Sequence, residues 1–243
     1  MKAIILAAGK GTRFKSDKAK VLQEILGKSL IERVIDLAVS VGIKEKVVVV
    51  GYQGEEVIKN LEKKKDVKFV WQHLQLGTGH AVMSAREEIK PADDILILSG
   101  DVPATKKETI QKLIKEHQAQ KNVVTILTAE LEDPKWYGRI VRDKKGNITC
   151  IREAKDCSPK ELEIKEINTA ILIVQGKFLL EALSKLKANN TQKEYYLTDI
   201  VEIASNEGKN VGALLINDEN EIKGVNSIEE LQEMRFILQK RTS

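Results

Sequence analysis

The sequence contains little cysteine and no long hydrophobic run. Its two cysteines, Cys150 and Cys157, have no further Cys or His at ligand spacing, which argues against a zinc site. They indicate free or buried thiols in a reducing compartment, with a disulfide as the less favoured alternative. The N-terminal apolar run is too short for a signal peptide, and no stretch approaches the length of a membrane span. These absences predict a soluble, cytoplasmic protein that does not bind a membrane.

Aromatic residues and net charge are also scarce. Phe, Trp and Tyr make up 4% of the 243 residues, so platforms for stacking nucleic-acid bases are not expected. The net charge is only +4, from 40 basic and 36 acidic residues, without the basic excess of a typical nucleic-acid binder. With 42% hydrophobic residues, the chain can bury a substantial core. We therefore expect small-molecule partners and no nucleic acid; the sequence leaves the oligomeric state open.

The first half of the chain alternates strand and helix patterns. Apolar runs such as Val47–Val50 and Ile95–Leu98 lack polar alternation, as strands do when helices cover both faces of a parallel sheet. Capping boxes at Ser29–Glu32 and Thr105–Glu108 predict two helix starts, and Thr78 is expected to cap a third helix. The predicted strands of this half are residues 2–6, 47–50, 67–71, 95–98 and 123–127. The fold class is α/β: a Rossmann-like open sheet, mixed but mostly parallel, flanked by helices.

The second half changes character. Residues 138–142 and 147–152, on either side of a Lys-Lys-Gly-Asn turn, predict a small β-hairpin insertion. Ile167–Val174 is a long strand that can return to the main sheet. Helices near 176–187 and 198–207, a strand at 211–216 and a terminal helix after the capping box at 227–230 complete the prediction.

A glycine-containing, cationic loop follows the first strand. Backbone N–H groups at Gly9 and Gly11 are open to a ligand, which suits a polyphosphate surrounded by fixed cations. Phe14 stands where the third glycine of a dinucleotide fingerprint would be, and no Gly-Lys-Ser/Thr completes a Walker loop. The cations of this segment are Lys10, Arg13, Lys15, Lys18 and Lys20.

Further candidates follow the ends of later strands, where open parallel sheets bind ligands. Asp101 comes directly after a buried strand, and its carboxylate is an oxygen ligand suited to Mg²⁺; the structural alternative is a cap of the turn before Pro103. The loop from Gln72 to Thr78 offers an amide, an open backbone and a hydroxyl, although its spacing alone favours an ordinary strand–helix connection. His73 and His80 lack a partner at ligand spacing and are interpreted as structural.

These motifs together resemble the nucleoside-diphosphate-sugar pyrophosphorylases, nearly end to end. The closest resemblance is to the uridylyltransferase domains of the bacterial bifunctional N-acetylglucosamine-1-phosphate uridylyltransferase / glucosamine-1-phosphate acetyltransferase family. The first motif marks only the broad nucleotidyltransferase superfamily, and the combination with the later ones is far more specific. The matching segments are Leu6–Arg13, Lys20–Leu22, Gln75–Ala81, Gly100–Pro103, Tyr137–Ile140, Glu153 with Lys155 and Asp156, Glu166–Thr169, Glu194–Asp199 and Gly224–Asn226.

The resemblance implies a role for each matched residue. Arg13 and Lys20 would be catalytic, on the nucleotide phosphates, and Asp101 and Asn226 would hold Mg²⁺. The nucleotide-binding residues would be Leu6, Ala7, Ala8, Gly9, Gly11, Gln72, Gly77 and Thr78. The sugar side would be lined by Ser99, Gly100, Gly138, Glu153, Asn168, Tyr196 and Thr198.

The implied activity is formation of UDP-N-acetylglucosamine and pyrophosphate from UTP and N-acetylglucosamine 1-phosphate, a step of peptidoglycan cell-wall biosynthesis. The implied fold is that of the nucleotide-diphospho-sugar transferases, as one domain. Its nucleotide-binding part would cover about 1–128, its sugar-binding part about 129–226 and its C-terminal helix about 227–241. The hexapeptide repeats of the family's acetyltransferase domain do not occur in this sequence. A stand-alone enzyme and part of a longer one are both compatible with it.

Alternatives remain at this point. One is the same chemistry on another pair, glucose 1-phosphate with UTP or dTTP; another is a non-catalytic nucleotide-sugar sensor. Three departures from the family pattern bear on the sugar preference. Ala19 replaces the usual Pro before the lysine, Ser99 the usual Tyr before the Gly-Asp pair, and Ala170 a common Gly.

Overall fold

A computed structural model describes residues 1–11, 14 and 18–242, with the side chain of Thr242 left out. Its main sheet has the strand order β11-β7-β10-β6-β1-β4-β5, with a β8–β9 hairpin beside β10. The strands are β1 Lys2–Ala7, β2 Glu24–Ile25, β3 Lys28–Ser29, β4 Lys46–Val50, β5 Val67–Trp71, β6 Asp94–Ser99, β7 Val124–Glu130, β8 Arg139–Arg142, β9 Ile148–Arg152, β10 Glu166–Gln175 and β11 Val211–Ile216. The short β2 and β3 pair with each other in a separate two-stranded sheet.

The sheet is mixed and mostly parallel, as predicted. β1 pairs in parallel with β4 and β6, β4 with β5, and β7 with β11, whereas β10 runs antiparallel between β6 and β7. The predicted return of Ile167–Val174 to the main sheet is therefore confirmed. The predicted hairpin is also present, as antiparallel β8 and β9.

Both faces of the central strands are buried. Val48 and Val50 point into one hydrophobic cluster, whereas Val47 and Val49 point into the cluster on the opposite face. All four are at most 1% exposed, and full burial of one such side chain contributes about 1.5–3 kcal/mol. The apolar runs lack polar alternation because both faces of these strands are buried.

Helices cover the sheet. They are α1 Leu30–Ser40, α2 Gly54–Leu61, α3 Thr78–Ser84, α4 Lys107–Ala119, α5 Pro159–Leu162, α6 Gly176–Leu183, α7 Asp199–Asn206 and α8 Ile228–Thr242. The Ser29–Glu32 capping box of α1 is confirmed in both directions. Among the described residues, no helix is long and apolar enough to cross a membrane.

Two predicted helix starts are wrong in detail. α4 begins at Lys107 without a capping side chain, because the Thr105 hydroxyl instead donates to the carbonyl of Glu221 at 2.8 Å. The buried Glu221 carboxylate accepts the Lys106 backbone N–H at 2.9 Å. α3 includes Thr78 as its first residue, preceded by Gly77, and ends at Ser84 rather than near Glu88. In both cases the hydroxyl that was expected to cap the helix forms a hydrogen bond with a distant segment instead.

Candidate active site

Lys20, Asp101 and Asn226 meet at the carboxyl end of β6, although they lie far apart in the sequence. The Lys20 ammonium contacts Asp101 Oδ2 and donates to Asn226 Oδ1 at 3.0 Å. The backbone holds the two acceptors together, because Val225 N donates to the Asp101 carbonyl at 3.0 Å. Two oxygen ligands from distant segments thus converge on one cation.

The Asp101 carboxyl is kept ionised despite its surroundings. Burial acts to raise its pKa, but the charge and hydrogen bond of Lys20 and a hydrogen bond from Ser99 outweigh it and hold the pKa below its ordinary value. The Ser99 hydroxyl donates to Asp101 Oδ1 at 2.5 Å. The carboxylate is therefore ready to hold a cation at neutral pH.

The residues present fit Mg²⁺. Mg²⁺ prefers oxygen ligands and is usually held by one or two carboxylates plus waters and substrate phosphates. The described part of the chain contains no group of three or more His, Cys, Asp or Glu that could hold a metal. Asp101 and Asn226, already joined by a cation, supply the small oxygen set that such a site needs.

The glycine loop lies beside this cation. Gly100 N donates to the Leu6 carbonyl at 2.9 Å, and a Cβ on Gly100 would lie 2.9 Å from the same oxygen. Gly11 has φ +59°, and a Cβ there would lie 2.8 Å from Lys20 Cβ. A Cβ on Gly9 would meet no atom of the described residues within 4 Å. The absence of a side chain at Gly100 allows β1 and β6 to approach each other.

The segment from Gln72 to Thr78 packs against residues 194–198. The Gln72 amide nitrogen donates to the Gly77 carbonyl at 3.1 Å. A Cβ on Gly77 would lie only 2.6 Å from the Tyr195 carbonyl, and the Thr78 hydroxyl accepts from Leu197 N at 3.1 Å. The structure therefore joins the loop predicted to read the nucleotide to the segment predicted to border the sugar.

Four of the predicted sugar residues, Gly138, Glu153, Asn168 and Thr198, form a connected group. Asn168 N donates to the Gly138 carbonyl at 2.8 Å, and a Cβ on Gly138 would lie 3.5 Å from Glu153 Oε2. The Thr198 hydroxyl donates to Glu153 Oε1 at 2.9 Å. Burial raises the pKa of Glu153 even though the Thr198 hydrogen bond lowers it. A desolvated carboxylate with one fixed donor can accept hydrogen bonds from the hydroxyl or amide groups of a ligand.

A bulge in β10 sets the orientation of the Asn168 side chain. Its pairing with β7 shifts register between Asn168 and Leu172, and within the bulge Ala170 has φ +61°. Asn168 Oδ1 accepts from Ala170 N at 3.0 Å. Bulges re-aim side chains next to active sites, and a non-glycine residue in this conformation is held there by its surroundings.

Two cavities adjoin these residues. The larger, of about 580 Å³, is lined by four residues of the predicted set: Ser99, Asp101, Asn168 and Asn226. The smaller, of about 190 Å³, is lined by Glu153 and Tyr196. The sugar-side prediction thus includes residues of both cavities. Gly138 lies between them, because its carbonyl accepts from Asn168 N and a Cβ on it would lie 3.5 Å from Glu153 Oε2.

The sequence matches the MobA-like NTP transferase domain over residues 3–195. The chain belongs to this family. It is 46% identical over 241 residues to the bifunctional protein GlmU of Alkaliphilus metalliredigens (strain QYMF), covering 99% of this chain and 52% of that protein. It is 43% identical over 240 residues to the bifunctional protein GlmU of Clostridioides difficile (strain 630), with the same coverage of both chains. The chain spans about half the length of the curated relatives it matches.

The fold of the MobA-like NTP transferase domain is also found in a solved structure. A crystal structure of UDP-glucose pyrophosphorylase complexed with UDP-glucose superposes with a TM-score of 0.78, covering 99% of this chain and 98% of that one. At 18% identity this similarity concerns the fold alone. The predicted resemblance and fold class are confirmed.

Several predicted site residues lie close together near the carboxyl ends of β1 and β6. Leu6, Gly11, Lys20, Gly100 and Asp101 are joined by direct contacts or close backbone approaches. Ala8 packs near the next strand, since its carbonyl accepts from Tyr52 N at 3.1 Å, and Ala7 ends β1. Arg13 lies outside the described residues, so its role remains a prediction.

Tyr196 lies at the border of the group. Its hydroxyl donates to Asp156 Oδ2 at 3.1 Å, and burial together with nearby carboxylates raises its pKa to about 12. It lines the smaller cavity with Glu153 and is not among the residues lining the larger one. Its predicted place on the sugar side stays a prediction.

Two residues that line these cavities were missed by the sequence-based prediction. Tyr137 lines the larger cavity with Asp101 and Asn226, and burial raises its pKa. Asp199 lines the smaller one, where burial and the charges of Glu202 and Glu153 raise its pKa to about 6. Both belong to matched motifs, so the signal was present in Tyr137–Ile140 and Glu194–Asp199.

Proposed function

We propose that this chain catalyses the reaction of UTP with N-acetylglucosamine 1-phosphate to give UDP-N-acetylglucosamine and pyrophosphate. Three findings support the proposal: the NTP transferase family, identity of 43–46% to proteins named bifunctional protein GlmU, and the uridylyltransferase motifs of the sequence. The observation that carries it is the convergence of Lys20, Asp101 and Asn226 on the glycine loop. These residues can neutralise the charge of reacting phosphates, which a protein that only binds a nucleotide sugar does not need to do.

The reaction brings two anions together. A phosphate oxygen of the sugar substrate attacks the α-phosphorus of UTP, a new P–O bond forms, and the bond to the β-phosphate breaks as pyrophosphate leaves. The attacking oxygen is already negatively charged at neutral pH, so no general base is required. The protein must position both substrates and neutralise their charge.

The chain's cations and backbone would receive the nucleotide. The backbone N–H groups at Gly9 and Gly11 would bind the polyphosphate, and Gln72, Gly77 and Thr78 would contact the uridine. Arg13 and Lys20 would stabilise charge on the α-phosphate and the leaving pyrophosphate. A guanidinium can bind two phosphate oxygens at once, which makes Arg13 more effective than its charge alone.

Asp101 and Asn226 are proposed to hold Mg²⁺, which when bound would neutralise phosphate charge and template the attack. On the sugar side, the partly buried Glu153 carboxylate and the buried Asn168 amide offer hydrogen bonds, and the Thr198 hydroxyl fixes Glu153. Ser99 fixes Asp101 in the same way. We further propose that residues 1–128 bind the nucleotide and 129–226 the sugar, before the C-terminal helix.

A cytoplasmic location is part of the proposal. Both cysteines are free, as predicted, and free thiols suit a reducing compartment in which UTP is available.

Pyrophosphate release tests the proposal. Purified protein is assayed with Mg²⁺ and a panel of UTP, dTTP, N-acetylglucosamine 1-phosphate and glucose 1-phosphate. UTP with N-acetylglucosamine 1-phosphate is expected to give the highest kcat/KM; a preference for a glucose 1-phosphate pair would instead establish that alternative. Tight UTP binding without turnover on any pair would indicate a sensor.

Arg13→Ala is the matching mutational test. We expect kcat to fall by about 10²–10³-fold, as it does when one pre-organised electrostatic group is lost. The control is Lys44→Ala, which removes the same charge from an exposed loop after α1. Near-normal turnover of Arg13→Ala would remove Arg13 from the mechanism.

A further inference from the structure

The Lys20 ammonium occupies the place between Asp101 and Asn226 that the proposed metal would need. It contacts Asp101 Oδ2 and lies 3.0 Å from Asn226 Oδ1. Mg²⁺ binds its oxygen ligands at about 2.0–2.1 Å and demands a regular octahedral shell. An ammonium hydrogen-bonded to the same oxygens is incompatible with that shell. Lys20 and the metal therefore compete for one position.

We propose that Lys20 is a displaceable cation: it neutralises Asp101 in the metal-free protein, and metal binding releases it towards the nucleotide phosphates. The inference rests on the proposed function, because it takes Asp101 and Asn226 as the metal ligands. The inference adds that Lys20 neutralises first the Asp101 carboxylate and then the nucleotide phosphates. Metal binding and phosphate binding are then coupled through the position of a single side chain.

The way Lys20 is anchored permits this movement. Its backbone begins the 3₁₀ turn Lys20–Leu22, and its carbonyl accepts from Gln23 N at 3.1 Å. Gly11, in the glycine loop, packs against the first carbon of the Lys20 side chain. The base of the side chain is thus fixed between the loop and the metal ligands. Only the flexible end of the side chain must rotate to carry the ammonium away from Asp101.

Charge explains why the metal-free protein needs this arrangement. The Asp101 and Lys20 side chains are only 14% and 16% exposed. A carboxylate so poorly solvated is costly when it has no partner. It would also repel an incoming polyphosphate. With Lys20 in place the site is neutral, and the arriving metal restores positive charge while freeing the lysine. By linkage, anything that draws Lys20 away strengthens metal binding.

Binding of Mn²⁺ to metal-free protein without nucleotide, followed by electron paramagnetic resonance, tests the competition. Lys20→Met is expected to bind Mn²⁺ about tenfold more tightly than the parent, because its competitor is gone. The control is Lys28→Met, which removes the same charge from an exposed lysine paired with Asp36 at 2.7 Å and is expected to change affinity less than about twofold. Unchanged or weaker binding by Lys20→Met would overturn the exchange.

Two further measurements separate the possible failures. Asp101→Asn is expected to abolish the signal of bound Mn²⁺. Binding like that of the parent would show that the metal lies elsewhere, and it would also refute the exchange of Lys20 for the metal. If the parent releases pyrophosphate normally while Lys20→Met binds no more tightly, the function stands and only the exchange fails. A parent without turnover would instead count against the function.

Amine labelling of the parent avoids any folding defect of a variant. Metal-free protein is treated with acetic anhydride, with and without Mg²⁺, and modification is quantified by mass spectrometry. We expect Mg²⁺ to raise labelling of Lys20 severalfold and to leave Lys28 unchanged. Labelling of Lys20 that does not respond to Mg²⁺ would contradict its displacement.

Discussion

Removing the Thr198 hydroxyl should destabilise the protein in a pH-dependent way. This hydroxyl donates to Glu153 Oε1 at 2.9 Å, and partial burial raises the pKa of the Glu153 carboxyl. A hydrogen bond to a charged acceptor contributes about 1.5–3 kcal/mol, against about 0.5–1.5 kcal/mol for a neutral one. Thr198→Val should therefore lower the free energy of unfolding by about 2 kcal/mol at neutral pH.

The sign of the pH dependence follows from the protonation states. Because the folded-state pKa of Glu153 is raised, the folded protein binds this proton more tightly than the unfolded chain. Stability from this group is therefore highest below the unfolded pKa of about 4.3 and falls as pH rises through the folded pKa. Without the Thr198 donor the pKa of Glu153 rises further. The gap between variant and parent should widen with pH and narrow towards acid.

Urea unfolding from acid to neutral pH measures this gap, and steady-state kinetics measures its effect on the site. The KM for N-acetylglucosamine 1-phosphate should rise about tenfold while that for UTP changes little. Thr149→Val is the matched control, since the Thr149 hydroxyl donates to the neutral carbonyl of Val141 at 3.1 Å. A pH-independent loss equal to that of the control, or equal effects on both KM values, would refute the reasoning.

Three other substitutions test separate features of the structure. Gly100→Ala should cost about 1–3 kcal/mol and disturb the site, because its Cβ would lie 2.9 Å from the Leu6 carbonyl; urea unfolding and kcat check this. Leu26→Asn should stabilise by about 0.5–1 kcal/mol in thermal unfolding, since Leu26 (φ 50°) and Gly27 (φ 75°) form a two-residue turn that favours Asn-Gly. Asp199→Asn should leave stability unchanged below pH 4 but raise it by about 1 kcal/mol above pH 6, because the raised pKa of about 6 makes ionisation of Asp199 unfavourable in the folded state. Parent-like pH dependence of that variant would contradict the assignment.

The regular elements could be predicted because their signals are local. The apolar run at 47–50 and the Ser29–Glu32 box depend on residues close in sequence, and the structure reproduces both. The Thr105–Glu108 box failed because Glu221, more than a hundred residues away, accepts hydrogen bonds from the Thr105 hydroxyl and from Lys106 N. Thr78 was predicted as a cap and is instead the acceptor for Leu197 N. Local hydrogen-bonding preference gives way wherever a distant segment offers a better partner.

The order of residues alone determined the fold class, the glycine loop and the chemical nature of the candidate site, because each is written in residue types and short spacings. Tertiary structure decided that β10 enters the sheet antiparallel with a bulge that aims Asn168. It also brought the side chains of Lys20, Asp101 and Asn226 into contact. Neither arrangement follows from spacing, because contacts across 81 and 206 residues arise only when the whole sheet forms.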